Sequence, residues 1–435
     1  MKNELLFAKQ VLKGTNQKRM NISKARLNYS RGGKICKLDK VRNKQQQPLF
    51  QPIISDLTPF TKQLLEILPY ILDKTLHLSH SQRIALPDDI HNLSCLLTSE
   101  RKGLYKSYWS NARFCSAYLW YFFPWNLIRL TSLISNLALP EPKSEVVIMD
   151  LGSGPLTLPV ALWLSKPTWR NCKIKLICVD TAIQPMNIGL KLFKQIAAQL
   201  KESFVWDVTL IRGNYTQVLK SISSPLHLIM SGNMLNELKG KTNHLIRSRM
   251  EQMVMLINNV LHSDGAALFV EPGTRLGGKL MSTLREVAIQ DTFISIAPCT
   301  HTAFCPLFNS TNNLWCHVLF DVDAPQWLLN LSQAANLSKV KVSFSFQLLR
   351  YRKNTLKLLD NTTSFLTGRV LSGGFPVLGM GTAQYVCTKK GLALMSYTRG
   401  IPSGARVLCK PLPGNQRDIR SGALKVEWVS TLEKE

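Results

Sequence analysis

The chain has 435 residues, 45% of them hydrophobic, which is enough for two or three domains with a sizeable core and excludes disorder throughout. Lys and Arg number 54 against 27 Asp and Glu, a formal charge of +27. So basic a chain is drawn to polyanions through counterion release, which points to RNA, DNA or a ribosome; a generally basic proteome is the plainer explanation, and no basic amphipathic helix or lipidation motif argues for a membrane surface.

Residues 1–47 are polar and rich in Lys and Arg, with Glu4 and Asp39 as their only acids. They are expected to form a flexible basic arm that touches phosphates, although a mitochondrial presequence has a similar composition. Residues 48–140 carry helical periodicity and read as a helical N-terminal domain. Leu64, Leu65 and Leu68 share a face before Pro69, and Leu119, Phe122 and Phe123 form a stripe that resumes at Leu127 and Leu130 beyond Pro124. Tyr105, Tyr108 and Trp109 fit either a core or a base-stacking platform. The most apolar run, Phe114 to Ile128, is interrupted by Pro124 and Asn126. It falls short of the roughly 20 residues a spanning helix needs and reads as a buried helix pair. No apolar core of a secretory signal opens the chain, so a reducing compartment is expected: the cytoplasm, with the mitochondrial matrix as the alternative. The ten cysteines are then thiols or ligands.

Residues 141–367 are expected to hold an α/β domain. Its organising stretch is EVVIMDLGSGPL, Glu145 to Leu156. Val146 to Met149 are too short a run for a helix and rich in β-branching, so they predict a buried strand closed by Asp150. The turn Gly152-Ser153-Gly154-Pro155 lets the backbone bend sharply and approach a ligand before a helix resumes at Leu158. Thr157 stands where a dinucleotide fingerprint wants its third glycine, and no phosphate loop of the G-x-x-x-x-G-K-[ST] type is present, which weighs against NAD and ATP. An acid ending the first strand before D-L-G-S-G-P resembles motif I of class I S-adenosylmethionine methyltransferases. Those enzymes usually carry a further glycine where Leu156 stands, so a tightened or closed pocket is expected.

Lys173 to Val179 predicts a second strand ending in Asp180, where a carboxylate can accept both ribose hydroxyls of an adenosine or cap the following helix. Leu210 to Asn214 predicts a third strand, its polar tip at Asn214 placed where adenine would sit. Leu226 to Ser231 predicts a fourth, followed by Asn233, Asn236 and Glu237, which lie near a methyl donor or cap the helix. A helix over Asn243 to Leu261 and a fifth strand over Ala266 to Glu271 follow.

Together, DLGSGP, VDTA, SGNMLNEL and FVEPGT resemble the methyltransferase-like family found with the mitochondrial small ribosomal subunit and its bacterial relatives, over roughly Tyr108 to Trp428. The resemblance implies a class I methyltransferase (Rossmann-like) sheet, association with small-subunit ribosomal RNA, and a role in ribosome assembly or translation. It places the cofactor, S-adenosylmethionine, at Asp150, Gly152, Ser153, Gly154, Pro155, Asp180, Asn214 and Asn233. No catalytic residue is assigned.

Cys299, Cys305 and Cys316 follow the fifth strand and Cys387 lies downstream. Four clustered thiolates suit zinc or an iron-sulfur cluster. The resembled family carries four such cysteines for a four-iron four-sulfur (4Fe-4S) cluster, with Cys316 beyond a longer gap here; His301 and His317 would favour zinc. Pro298-Cys299 also resembles the nucleophile of RNA cytosine-C5 methyltransferases, but a nucleophile needs no companion thiols. Cys95, Cys115, Cys172 and Cys178 read as unliganded thiols, while Cys36 and Cys409 are unassigned. Val340 to Leu349 predicts a further strand of the sheet. Residues 368–435 are expected to form a basic, β-rich C-terminal extension suited to phosphate contact, with Arg399, Arg406, Lys410, Arg417 and Arg420. The whole reads as a monomeric methyltransferase-like protein working on or with small-subunit rRNA, or as a non-catalytic RNA-binding assembly factor with a structural cluster.

Overall fold

A computed structural model describes residues 53–98, 108–142, 145–238, 240, 242–290, 292–308, 314–354, 365–396 and 400–431. The expected basic arm, Cys36, Tyr105 and Arg399 lie outside the described residues.

Helices lead the described chain: α1 (Pro59–Leu76), α2 (His80–Leu97), α3 (Ala112–Ala117) and α4 (Phe123–Ile134). Thr58 caps α1, accepting from the Thr61 N–H, and Ser79 forms a capping box with Gln82 at α2. Pro69 does not end α1. Proline removes the N–H that would bond the Leu65 carbonyl, and the Trp327 indole N–H donates to that oxygen at 2.8 Å instead. The expected helix pair around Pro124 is likewise continuous, because a π-turn over Tyr118–Phe122 joins α3 to α4 and the Phe123 N–H bonds the Tyr118 carbonyl.

The main sheet follows: β1 (Val146–Leu151), α5 (Thr157–Ser165), β2 (Ile174–Asp180), α6 (Ile183–Gln199), β3 (Asp207–Arg212), α7 (Tyr215–Ser221), β4 (Leu226–Gly232), α8 (Asn243–Val260), β5 (Leu261–Pro272), α9 (Arg275–Ala288), β6 (Phe293–Ala297), β7 (Val318–Asp321), α10 (Gln326–Ala334) and β8 (Lys341–Tyr351). Strand order is β3-β2-β1-β4-β5-β8-β6, with β7 also on β8. The five strands from β3 to β5 are parallel and β8 runs against β5 and β6. A parallel sheet that reverses order between β1 and β4 and takes one antiparallel strand near its edge is the class I methyltransferase fold. The third strand starts earlier than expected, and Gly213 and Asn214 form the turn after it.

Apolar residues cover both faces of this sheet, as a parallel sheet requires. On one face, Trp163 of α5 lies between Phe60 and Phe193, ring centroids 5.9 and 5.8 Å away, in a core that includes α1 and α4. On the other, Met253 and Ile257 of α8 and Leu284 of α9 pack over Ile229 and Phe269. A second sheet contains β9 (Leu366–Val370), β10 (Phe375–Val377), β11 (Gly381–Thr388), β12 (Gly391–Ser396), β13 (Arg406–Pro411) and β14 (Leu424–Thr431).

Candidate cofactor site

The turn after β1 is stitched to the end of β2. The N–H groups of Gly152 and Ser153 donate to the Val179 carbonyl at 2.8 and 3.1 Å, and Ser153 Oγ accepts from the Val179 N–H while donating to the Asp150 carbonyl. Gly152 has φ +69°, and a Cβ there would lie 2.6 Å from Met234 Cγ, so only glycine fits. From α6, Gly189 meets the Pro155 backbone so closely that a Cβ would stand 2.4 Å from its carbonyl carbon, which lets the helix rest directly on the turn.

Asp180 closes β2 with both oxygens engaged: Oδ2 accepts the Gly154 N–H and Oδ1 the Ala182 N–H, each at 2.9 Å. Asn214 caps α7 through Oδ1, which accepts from the Thr216 N–H at 2.9 Å. Beyond β4, Asn233 adopts φ +59° and its N–H donates to the Val270 carbonyl. Asn236 is committed elsewhere, its amide and N–H donating to the fully buried Glu271 carboxylate, which also takes the Leu235 N–H.

These ends converge on one cavity of about 420 Å³ at the C-terminal edge of β1, β2 and β4, the switch point where open α/β sheets bind ligands. All eight residues singled out from the sequence line it: Asp150, Gly152, Ser153, Gly154, Pro155, Asp180, Asn214 and Asn233. Leu156 does not narrow it, contrary to expectation. Leu156 takes the left-handed conformation, φ 60° and ψ 31°, that a glycine would adopt freely, and its side chain is buried in the core away from the cavity.

The helical segment supplies a wall that periodicity did not reveal. Tyr108, Trp109, Tyr118 and Asn126 line the cavity together with Met234 and Glu237. The Tyr108 hydroxyl donates to Glu237 at 3.3 Å, and burial, then the Glu237 charge, raise its pKa well above the ordinary tyrosine value. Of the sequence signals, only the cluster of aromatics at Tyr108 and Trp109 pointed here. Asp150 is buried, and desolvation raises its carboxyl well above the ordinary range. Asp150 Oδ2, Thr157 Oγ1 and Asn233 Oδ1 are buried without a hydrogen-bond partner. Three orphaned polar atoms around a roomy cavity suit a polar ligand.

The four singled-out cysteines also come together. Cys299 and Cys305 follow β6, Cys316 precedes β7 and Cys387 lies in β11. Burial, then the thiols of Cys305, Cys299 and Cys316, raise the Cys387 pKa, and burial, then Cys299, push Cys305 up to about 11. Arg285 is buried among them: its Nε donates to Cys299 Sγ at 3.1 Å and its Nη2 to the His301 and Ala303 carbonyls. Desolvation opposes its charge, but Cys299, Cys305 and Glu286 outweigh that and raise its pKa. His301 Nε2 lies 3.4 Å from Cys387 Sγ, whereas the His317 ring contacts Trp315. Among the described residues, no group of three or more His, Cys, Asp or Glu side chains is arranged to hold a metal ion.

A family model described as mitochondrial small ribosomal subunit Rsm22 matches residues 115–352, more than half of the chain. The chain belongs to the Rsm22 family. The matched span of this Rsm22-family chain contains the glycine turn, Asp180 and three of the four clustered cysteines. No curated protein matches it significantly. Among solved structures, a precorrin-6y C5,15-methyltransferase from Geobacter metallireducens is 14% identical over 34% of this chain and 63% of that one, with a TM-score of 0.23; the chain thus spans less than two thirds of it. An rRNA methylase from Streptococcus thermophilus is 12% identical over 51% of this chain and 93% of its own, with a TM-score of 0.26. TrmN from Thermus thermophilus is 12% identical over 54% and 53%, with a TM-score of 0.29. No helix of the described residues is long and apolar enough to cross a membrane.

Proposed function

We propose that the chain is an S-adenosylmethionine-dependent methyltransferase acting on or with small-subunit ribosomal RNA in ribosome assembly or translation. The observation that carries this reading is the cavity at the β1–β4 switch point, with Asp180 fixed by two backbone N–H groups. The residues fit the cofactor. Asp180 keeps acceptor capacity for the two ribose hydroxyls, Asn214 stands at the adenine end, and the Gly152 to Pro155 turn leaves room for the methionine portion. Bound there, the cofactor supplies an electrophilic methyl on sulfonium sulfur. The chain's own work is to position and to exclude water, with Tyr108, Trp109 and Tyr118 walling the cavity. The family's name favours the mitochondrial matrix over the cytoplasm, and the charge of +27 suits an RNA partner.

A 4Fe-4S cluster on Cys299, Cys305, Cys316 and Cys387 is part of this proposal, with zinc as the alternative. It is supported by Cys299 Sγ 3.1 Å from Arg285 Nε, by Cys387 Sγ 3.4 Å from His301 Nε2, and by Arg369, whose Nε donates to the Pro298 carbonyl beside Cys299; the two guanidiniums suit a negatively charged thiolate site.

The second reading is a non-catalytic assembly factor. It is favoured by Asn236, whose donors all serve Glu271 or the Asn233 carbonyl, so that the segment after β4 is built to hold its own shape. Transfer of labelled methyl from S-adenosylmethionine to small-subunit particles, with anaerobically purified protein and Asp180→Ala as control, separates the two. Transfer lost in the control supports the enzyme; particle binding without transfer supports the scaffold.

A further inference from the structure

The second sheet closes on itself. β9 pairs with β11 and β13, β11 with β12, β12 with β14, and β14 with β13, while β10 hangs on β11. Taking β9, β11, β12, β13 and β14 as first to fifth, the ring runs 1-2-3-5-4 and back to 1. The third and fifth strands, β12 and β14, form its parallel pair. That is the strand order of an OB barrel, whose second and third strands and first and fourth loops form a surface for oligonucleotides. Val370, Val386, Met395, Val407 and Val426 fill the interior, so the alternate residues of β11 and β12 face outward.

Topology alone does not make a site, and the outer surface supplies the chemistry. Tyr385 of β11 pairs with Leu394 of β12, which pairs with Lys425 of β14, giving a row across the second, third and fifth strands in which Leu394 is buried beneath Tyr385 and Phe375. Tyr385 is partly exposed and lies against Phe375, ring centroids 5.1 Å apart. Residues 412–423, the fourth loop, expose Arg417, Arg420 and the whole of Ile419, and residues 371–380, the first loop, expose Leu378 fully. Asp418 holds the fourth loop in shape, accepting from the Ser421 N–H and Oγ. Between 366 and 431 the sequence has nine Lys and Arg, and only Asp418 and Glu427 as acids. A partly exposed aromatic pair, Tyr385 and Phe375, beside a cationic fourth loop matches the two halves of an unpaired nucleotide, a base face and a phosphate.

We propose that the outer surface of β11, β12 and β14 between these loops binds single-stranded RNA, bases stacking on the partly exposed rings of Tyr385 and Phe375 and phosphates meeting Arg417, Arg420 and Lys425. A duplex keeps its base faces stacked and offers these rings nothing. This surface stands apart from the cofactor cavity, so it does not depend on methyl transfer.

The test uses the full chain and a labelled single-stranded RNA of about 12 nucleotides, the span of one such barrel, beside the same sequence as a duplex. Fluorescence anisotropy is read at two or more salt concentrations. Tyr385→Ala is expected to weaken single-strand binding roughly tenfold, and Tyr385→Phe to restore it, since a phenyl ring still stacks. Arg417→Glu with Arg420→Glu, both on the exposed loop, is expected to lower the salt slope by about one while leaving the melting temperature unchanged. Asp180→Ala, in the other site, should bind like wild type. Affinity unchanged in the arginine pair, or preference for the duplex, overturns the proposal. So does loss of particle binding in these variants with RNA affinity intact, which would make the surface a protein-docking face.

Discussion

Asp180 accepts the Gly154 N–H at 2.9 Å, joining the end of β2 to the glycine turn 26 positions earlier in the chain. The same carboxylate takes the Ala182 N–H at the entry to α6, so one side chain sets both the shape of the turn and the direction of the helix. Asp180→Ala should leave two backbone donors without their acceptor and cost about 1–2 kcal/mol. S-adenosylmethionine affinity should fall at least roughly tenfold, since a lost charge-assisted hydrogen bond is worth about that much. Denaturant melts and calorimetry check the two parts separately; wild-type affinity would detach Asp180 from the cofactor.

Gly152→Ala places a methyl 2.6 Å from Met234 Cγ at φ +69°. The backbone strain costs about 1–3 kcal/mol, and the methyl pushes Met234, itself a lining residue, into the cavity. Lower thermal stability together with weaker cofactor binding is expected, read by melting with and without S-adenosylmethionine. A stability loss with the ligand-induced shift unchanged would separate the turn from the ligand.

Cys305→Ser should lose iron and sulfide from anaerobically purified protein and melt earlier, because metal binding and folding are coupled. Cys409→Ser is the matched control. That thiol is buried in the barrel interior, 3.3 Å from the Leu366 carbonyl and on the opposite side of the strand wall from Cys387. Equal metal content in the two variants would remove the ligand assignment, and zinc in place of iron would select the alternative.

His301 is buried and sits beside Arg285, and both effects push its pKa down to about 4 from 6.5. The folded state therefore resists the proton that the unfolded chain binds. Stability is full above pH 6.5 and declines as pH falls toward 4, by at most about 3 kcal/mol. His301→Gln should flatten that part of the stability profile in urea titrations across this window. An unchanged slope would mean that other groups set it.

Trp327→Phe removes the indole N–H that serves the Leu65 carbonyl beneath Pro69. The expected loss is about 1–2 kcal/mol. In a Pro69→Ala background the alanine N–H reclaims that oxygen, so the same Trp327→Phe change should cost less. A double-mutant cycle with no coupling would show that the bond carries no weight.

The order of strand, glycine turn and helix was legible because it is local. Val146 to Met149, too few for a helix and rich in β-branching, read as a buried strand, and a turn at Gly152 to Pro155 follows from missing Cβ atoms. All eight candidate residues read from that pattern reach one cavity, since each ends a parallel strand or begins the turn after it and parallel strands bring those ends to one edge. Leu156 misled, because a side chain in place of the usual glycine was expected to crowd the ligand, whereas the backbone, at φ 60°, turns it into the core.

What the sequence determined by itself, then, was the succession of βα units, their acidic and glycine punctuation, the excess of positive charge and the four cysteines. Only the tertiary structure decided that Tyr108, Trp109 and Tyr118 wall the cavity, that Trp327 rescues α1 at Pro69, and that β9 and β11 close a barrel. Each of these joins segments far apart in the chain. Helical periodicity says which face is buried but not against what, and short apolar runs do not fix which strands pair, because pairing is settled by how the whole set of faces leaves water.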